Sequence, residues 1–197
     1  MLKAMLFIDF ENFNIAKYNY YKKKGLQNPK IDFNDFPKQL INKLKSKHVL
    51  VKTFLFYPKP DDFLMQHPQK AKIYNWIETL KNMNHFAVVE GSHIARPING
   101  KDTSTMDIND SSTYNVVEKG TDVNVAVHIL TKAFHNAFDT AVILSGDTDY
   151  LPIVNTLNMM GKSVVMVGVE GQNLSKFKEC SDAQVYINDS FFNNCKL

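Results

Sequence analysis

The chain has 197 residues, of which 44% are apolar, 22% charged and 12% aromatic, with a formal charge of +3. That balance suits a single globular domain spanning 1–197 and excludes a mainly disordered chain, which carries too little apolar surface to fold. No apolar run reaches the ~18 residues of a membrane helix, and Lys3 ahead of a short strand-like run is not a secretory signal, so no membrane partner is expected.

Strand and helix patterns alternate along the chain. Lys3 to Asp9 is a short apolar run of the kind buried in parallel sheets. A helix is predicted from Asn12 to about Lys23, with Phe13, Ala16 and Tyr20 on one face, and a second carries Phe36, Leu40 and Leu44. Val49 to Tyr57 reads as a strand ended by the breaker Pro58-Lys59-Pro60. A helix from Pro68 places Ile73, Trp76, Ile77 and Leu80 at the spacing of a core-facing stripe. A strand follows from Phe86 to Glu90, running on towards Ile94. The polar stretch Ile98 to Ser112 is long for a connection inside a compact domain, and such loops are commonly functional or mobile. Tyr114 to Val117 is a short strand able to pair back on its predecessor. Asp122 to Ala133 is a helix with Val123, Ala126, Val127 and Leu130 on its apolar face. The strand Thr140 to Leu144 runs into Ser145-Gly146-Asp147-Thr148-Asp149-Tyr150, then a helix to Met160 with Gly161 as its C-cap. Ser163 to Val167 and Gln184 to Ile187 are the last strands, with a short helix near Leu174 to Lys178 between them. This order predicts an α/β fold, a three-layer α/β/α sandwich on a Rossmann-like, mostly parallel sheet.

Four aspartates fall where strands end or helices begin: Asp9, Asp122, Asp147 and Asp149. In open α/β sheets ligands collect beyond the C-terminal strand ends, where strand order reverses. If the first strand and Thr140–Leu144 are neighbours there, Asp9, Asp147 and Asp149 converge. Two carboxylates 4 Å apart repel by roughly 4 kcal/mol at an effective dielectric of 20, so the cluster requires a cation or a shared proton. Oxygen donors without Cys or His suit Mg2+ or Mn2+. Each residue also has a local reading: Asn12 and Asp149 as N-caps, and Asp122 as a charge favoured by its helix dipole.

Other features carry less. Cys180 and Cys195 are the only cysteines, too few for a disulfide framework or a zinc site, and a reducing cytoplasm is expected. All but Arg96 of the 23 basic residues are lysines, clustered at 22–24, at 43, 45 and 47, and at 176 and 178. Such clusters are solvated faces or phosphate contacts. The six histidines show no carboxylate at ligand spacing, and no Gly-rich phosphate loop is present.

Phe7 to Phe13 (FIDFENF), Glu118 to Leu130 (EKGTDVNVAVHIL) and Leu144 to Val154 (LSGDTDYLPIV) resemble, in this order, the signature blocks of NYN-domain proteins. These are PIN-like nucleases, and the LabA-like bacterial subgroup is the most similar. A weaker likeness continues through Gly161 to Val164, Asn173-Leu174 and Ser181 to Ala183. The resemblance implies a parallel sheet with an acidic site at its C-terminal edge. It implies that Asp9, Asp122, Asp147 and Asp149 are the catalytic and metal-site carboxylates, with Asp9 and Asp147 holding the main ion. Asn12 would partner Asp9, while Lys119 and Ser145 position the phosphate or the loop. Arg96 and Lys119 are further candidates for backbone phosphates. The implied activity is divalent-metal-dependent hydrolysis of single-stranded RNA by a cytoplasmic endoribonuclease, leaving a 5′-phosphate and a 3′-hydroxyl, with a homo-oligomer left open. The stretch from Ile98 to Ser112 has no match in the family pattern. The rival from another class is a non-catalytic RNA-binding or regulatory protein that keeps the fold. A haloacid-dehalogenase-type phosphatase would need D-x-D-x-[TV] at the first strand, which Asp9-Phe10-Glu11-Asn12 does not supply.

Overall fold

A strand's side chains alternate between two faces, so an uninterrupted apolar strand must be covered on both. In the computed structural model, which describes residues 1–100 and 102–197, the first strand does this. β1 (Leu2–Asp9) sends Leu6 and Ile8 into one core and Met5 and Phe7 into the other. The elements that follow are α1 (Phe10–Lys24), α2 (Phe36–Asn42), β2 (His48–Pro60), α3 (Pro68–Leu80), β3 (Phe86–Pro97) and β4 (Tyr114–Lys119). Then come α4 (Thr121–Phe134), β5 (Thr140–Leu144), α5 (Leu151–Met159), β6 (Ser163–Val169), β7 (Ala183–Ile187) and α6 (Asp189–Asn193). Phe13 of α1, Leu40 of α2, Ile77 of α3 and Phe192 of α6 fill the first core. Ile129 of α4 and Leu157 of α5 fill the second. The result is a three-layer α/β/α sandwich.

The sheet runs β4-β3-β2-β1-β5-β6-β7, and only β4 is antiparallel to its neighbour. The chain turns outward in opposite directions from β1, with β2 on one side and β5 on the other. The C-terminal ends of β1 and β5 therefore flank the crevice where such sheets bind ligands.

Three sequence expectations change here. Pro58-Lys59-Pro60 does not end β2: Pro58 pairs Gly91 and Pro60 pairs His93. β1 stops beside Phe56, so beyond that point the outer side of β2 has no partner to lack a proline N–H. β3 and β4 run on together past the rest of the sheet and form a wall beyond its C-terminal edge.

α4 turns a different face inward from the one its sequence offers. Val123 and Val127 are 65% and 55% exposed, while Thr121, Val125, Ile129 and Ala133 are buried. Gly91 permits this rotation, because a Cβ there would lie 2.8 Å from the Thr121 backbone nitrogen. The start of α4 seats directly on β3, and the row one helical turn apart from Thr121 follows it into the core. On α3, Tyr74, Ile77 and Leu80 are buried, whereas Ile73 is 39% exposed and Trp76 half-buried.

In the stretch 98–112, Lys101 lies outside the described residues. The rest is built from local turns. Asp102, Asp107 and Asp110 each accept from the backbone N–H two residues on, at Ser104, Asn109 and Ser112, as Asx turns do. Among the described residues no helix is long and apolar enough to cross a membrane.

Candidate active site

Asp9 is the last residue of β1 and the N-cap of α1, its Oδ1 accepting from the Asn12 N–H at 3.1 Å. A carboxylate suits that place because it meets the positive end of the helix. Asn12 is thus not the cap. Its own side-chain oxygen accepts from the Gly146 N–H and from Gln172 Nε2, both at 2.9 Å. That pair of bonds ties α1 to the turn after β5. A Cβ on Gly146 would stand 2.9 Å from Gln172 Nε2 and would push aside the side chain that bonds Asn12.

The same turn places Ser145 and Asp147. Ser145 is buried; its hydroxyl donates to Asp9 Oδ2 at 3.2 Å and accepts from the Asp147 N–H at 3.1 Å. It links Asp9 to the backbone that carries Asp147. Asp147 caps the 3-10 turn Thr148–Tyr150 by accepting from the Asp149 N–H. That turn delivers Tyr150, buried at 1% exposure, whose hydroxyl lies 3.0 Å from both Asp9 Oδ2 and Asp122 Oδ1. Asp122 stands in the first turn of α4.

One carboxylate oxygen from each of Asp9, Asp122 and Asp147 lies within 4.8 Å of the others. They open into a cavity of about 210 Å3 that Glu11 and Glu118 also line, with no lysine or arginine among its lining residues. Asp149 is exposed on the turn and outside that group. Lys119 and Arg96 are exposed on the β3–β4 wall: Lys119 opposite Ser92, and Arg96 four residues further along β3. At about 3.3 Å per residue that is roughly 13 Å.

The electrostatics follow from this geometry. Loss of solvent pushes the Asp9 carboxyl up to about 6, against the opposing pull of bonds from Asn12, Tyr150 and Ser145; the Asp122 charge adds to the rise. Asp122 is raised too, first by desolvation and then by Glu118, Asp147 and Asp149, while Tyr150 opposes. Burial, then Asp9 and Asp122, drive the Tyr150 phenol far above its usual range, so it stays a donor. A phenol has one proton for two carboxylates. Its second contact is a hydrogen bond only when one of the carboxyls is protonated and donates to the phenol oxygen.

The donor set fits a hard divalent ion: several carboxylate oxygens, no nitrogen or sulfur, and net negative charge.

Several participants escaped the sequence reading. Tyr150 sits inside the motif after Asp147, and a buried phenol needs a partner, which was the available signal. Gln172 arrives from the turn after β6, with no signal in spacing. The histidines have no carboxylate at ligand spacing along the chain, but the fold brings one pair together: His93 Nε2 lies 3.3 Å from Glu11 Oε2, joined across the sheet from β3 to α1.

An acidic, cation-fitting crevice at the switch point of a parallel sheet agrees with the PIN-like nuclease superfamily, and the family comparison places the chain there. Within it, the chain belongs to the NYN domain family, whose model matches residues 3–188. A protein of unknown function from Vibrio parahaemolyticus has a similar crystal structure, with a TM-score of 0.58 over 96% of this chain and 95% of that one at 18% identity. That likeness concerns the fold. No curated protein matches the chain.

Proposed function

We propose that this chain is a divalent-metal-dependent ribonuclease, an endoribonuclease acting on single-stranded RNA with Mg2+ or Mn2+. The supporting observation is the convergence of Asp9, Asp122 and Asp147 within 4.8 Å in a cavity lined by acids and no base. These three carboxylates would hold the ion. When bound, it would supply Lewis-acid activation of water and neutralise charge on the phosphate. Asp149 stands at the rim, suited to a second, more solvated position. Ser145 and Tyr150 hold the carboxylates in place by donating to them, and Asn12 with Gln172 fixes the turn that carries Asp147. Lys119 and Arg96, exposed along the β3–β4 wall, would meet phosphates, a contact that positions RNA without reading its bases. Cys180 and Cys195 are free, which suits the cytoplasm.

The test is cleavage of a panel of labelled single-stranded RNAs in Mg2+, in Mn2+ and in EDTA. Wild type should cut only with metal and leave 5′-phosphate ends. Asp9→Asn should abolish cutting while its circular dichroism is unchanged, since the amide is nearly isosteric but a poor ligand for a hard cation. Metal-independent RNA binding with no cleavage across the panel would make the chain a regulatory protein instead.

A further inference from the structure

A cavity larger than the acidic one lies elsewhere. It measures about 410 Å3 and lies between α1, α3 and the segment 28–33. That volume is within the range of small-molecule sites. Its walls are Phe10, Phe13, Phe33, Ile73 and Trp76, together with Lys17, Lys30 and Lys72; no acidic side chain lines it, and the one carboxylate at its edge is the terminal one of Leu197, set against three lysines. Its charge is therefore opposite to that of the acidic cavity. The two share the first turns of one helix: Glu11, Asn12 and Ile15 face the acidic side, Phe10, Phe13 and Lys17 the basic side.

Two features of this cavity are costly unless something fills it. Trp76 sits against Phe10 and Phe33, with ring centroids at 5.9 and 5.6 Å. Yet it is half-buried, and Ile73 beside it is open, although both occupy the apolar stripe of α3. Lys17 is 5% exposed. Its ammonium donates to the Pro29 carbonyl and lies 6.0 Å from the Phe192 ring centroid, and among the described residues it has no carboxylate partner within 4 Å. Burial lowers that amine to about 8. Lysine is almost never buried this deeply without a counter-charge. An anion with a flat apolar body answers both: a ring against Trp76 and a charge against the lysines.

We propose that this cavity binds one nucleotide unit, its base stacked on Trp76 and its phosphate held by Lys17 with Lys30 and Lys72. The choice of a nucleotide among aromatic anions rests on the proposed action on RNA; the site itself rests on the cavity. Base-on-aromatic stacking tolerates any sequence because every base has a π-face. The unit comes either from a free mononucleotide or from a nucleotide of the RNA chain.

Trp76 is the single tryptophan, so its fluorescence reports this cavity alone. The experiment titrates the full chain in EDTA with nucleoside 5′-monophosphates, a 5′-phosphorylated oligoribonucleotide, benzoate and inorganic phosphate, corrected for absorbance with free tryptophan. Saturable quenching by the mononucleotide or the oligonucleotide is expected. Quenching by both identifies a free-nucleotide site, and by the oligonucleotide alone a subsite for the chain. Lys17→Met should weaken it by about tenfold or more, as expected for one charge-assisted hydrogen bond. The double variant Lys30→Ala/Lys72→Ala, at exposed positions that do not threaten folding, should weaken it as well. Asp147→Asn should leave it unchanged, so this site stands or falls separately from RNA cleavage. No quenching by either nucleotide form, quenching by benzoate alone, or equal affinity in wild type and both lysine variants would overturn the proposal.

Discussion

Asp9 should make the metal-free protein less stable as pH rises through the range where it ionises. Its carboxyl goes from an ordinary 3.8 to about 6 in the fold, chiefly because burial desolvates it. At 1.36 kcal/mol per pH unit the difference is about 3 kcal/mol, an upper value because the site opens into a cavity. The folded state holds this proton more tightly than the unfolded chain does. The stabilisation is therefore fully present below about pH 4 and lost as pH rises through about 6. Urea unfolding in EDTA across that interval, in wild type and Asp9→Asn, isolates the effect from other titrating groups. The stability difference between the two proteins should shift by up to about 3 kcal/mol in favour of the variant. In Mn2+ wild type should recover, by about 2.7 kcal/mol when the ion is at a hundredfold its Kd. Two parallel pH profiles would refute the reasoning, because they would mean that Asp9 pays nothing for its charge in the fold.

Tyr150→Phe removes the hydroxyl shared by Asp9 and Asp122 while keeping the ring; in EDTA it should cost about 2 kcal/mol by urea unfolding, the scale of a hydrogen bond to a charged group. Gly91→Ala should lower the melting temperature at a cost of about 1–3 kcal/mol, since the added methyl meets the Thr121 backbone and cannot be relieved by a rotamer; an unchanged melting curve would show that α4 is free to shift. Lys119→Ala should make the slope of log affinity for single-stranded RNA against log salt shallower by about 0.7 if the lysine touches one phosphate, and by an equal amount for unrelated sequences; an unchanged slope makes Lys119 a solvated wall residue.

The site's skeleton was legible because it depends on strand ends. Asp9 closes a strand apolar on both faces, and Asp147 follows another, so the two converge once those strands are neighbours, a pairing that the fold supplies and the sequence left as a condition. What stayed hidden depends on contacts between elements far apart in sequence. Gln172 is 160 residues from Asn12, and no spacing rule joins them. His93 meets Glu11 because β3 and α1 are neighbours in space. α4 carries apolar residues on two rows, and periodicity cannot choose between them; the missing Cβ at Gly91 decides. Pro58 and Pro60 read as breakers because a proline is costly inside a sheet, and the sequence does not say that β1 ends before reaching them. Trp76 read as core for a similar reason: the helix stripe is correct, but nothing covers its outer part.

The claim on which the rest depends is that Asp9, Asp122 and Asp147 together hold a divalent cation. Crystals grown in Mn2+ and measured for anomalous scattering test it without reference to any substrate. A peak bonded to oxygens of these three carboxylates is expected in wild type, and its loss in Asp147→Asn crystals of the same fold. No peak at millimolar Mn2+, or one held by other residues, would contradict it.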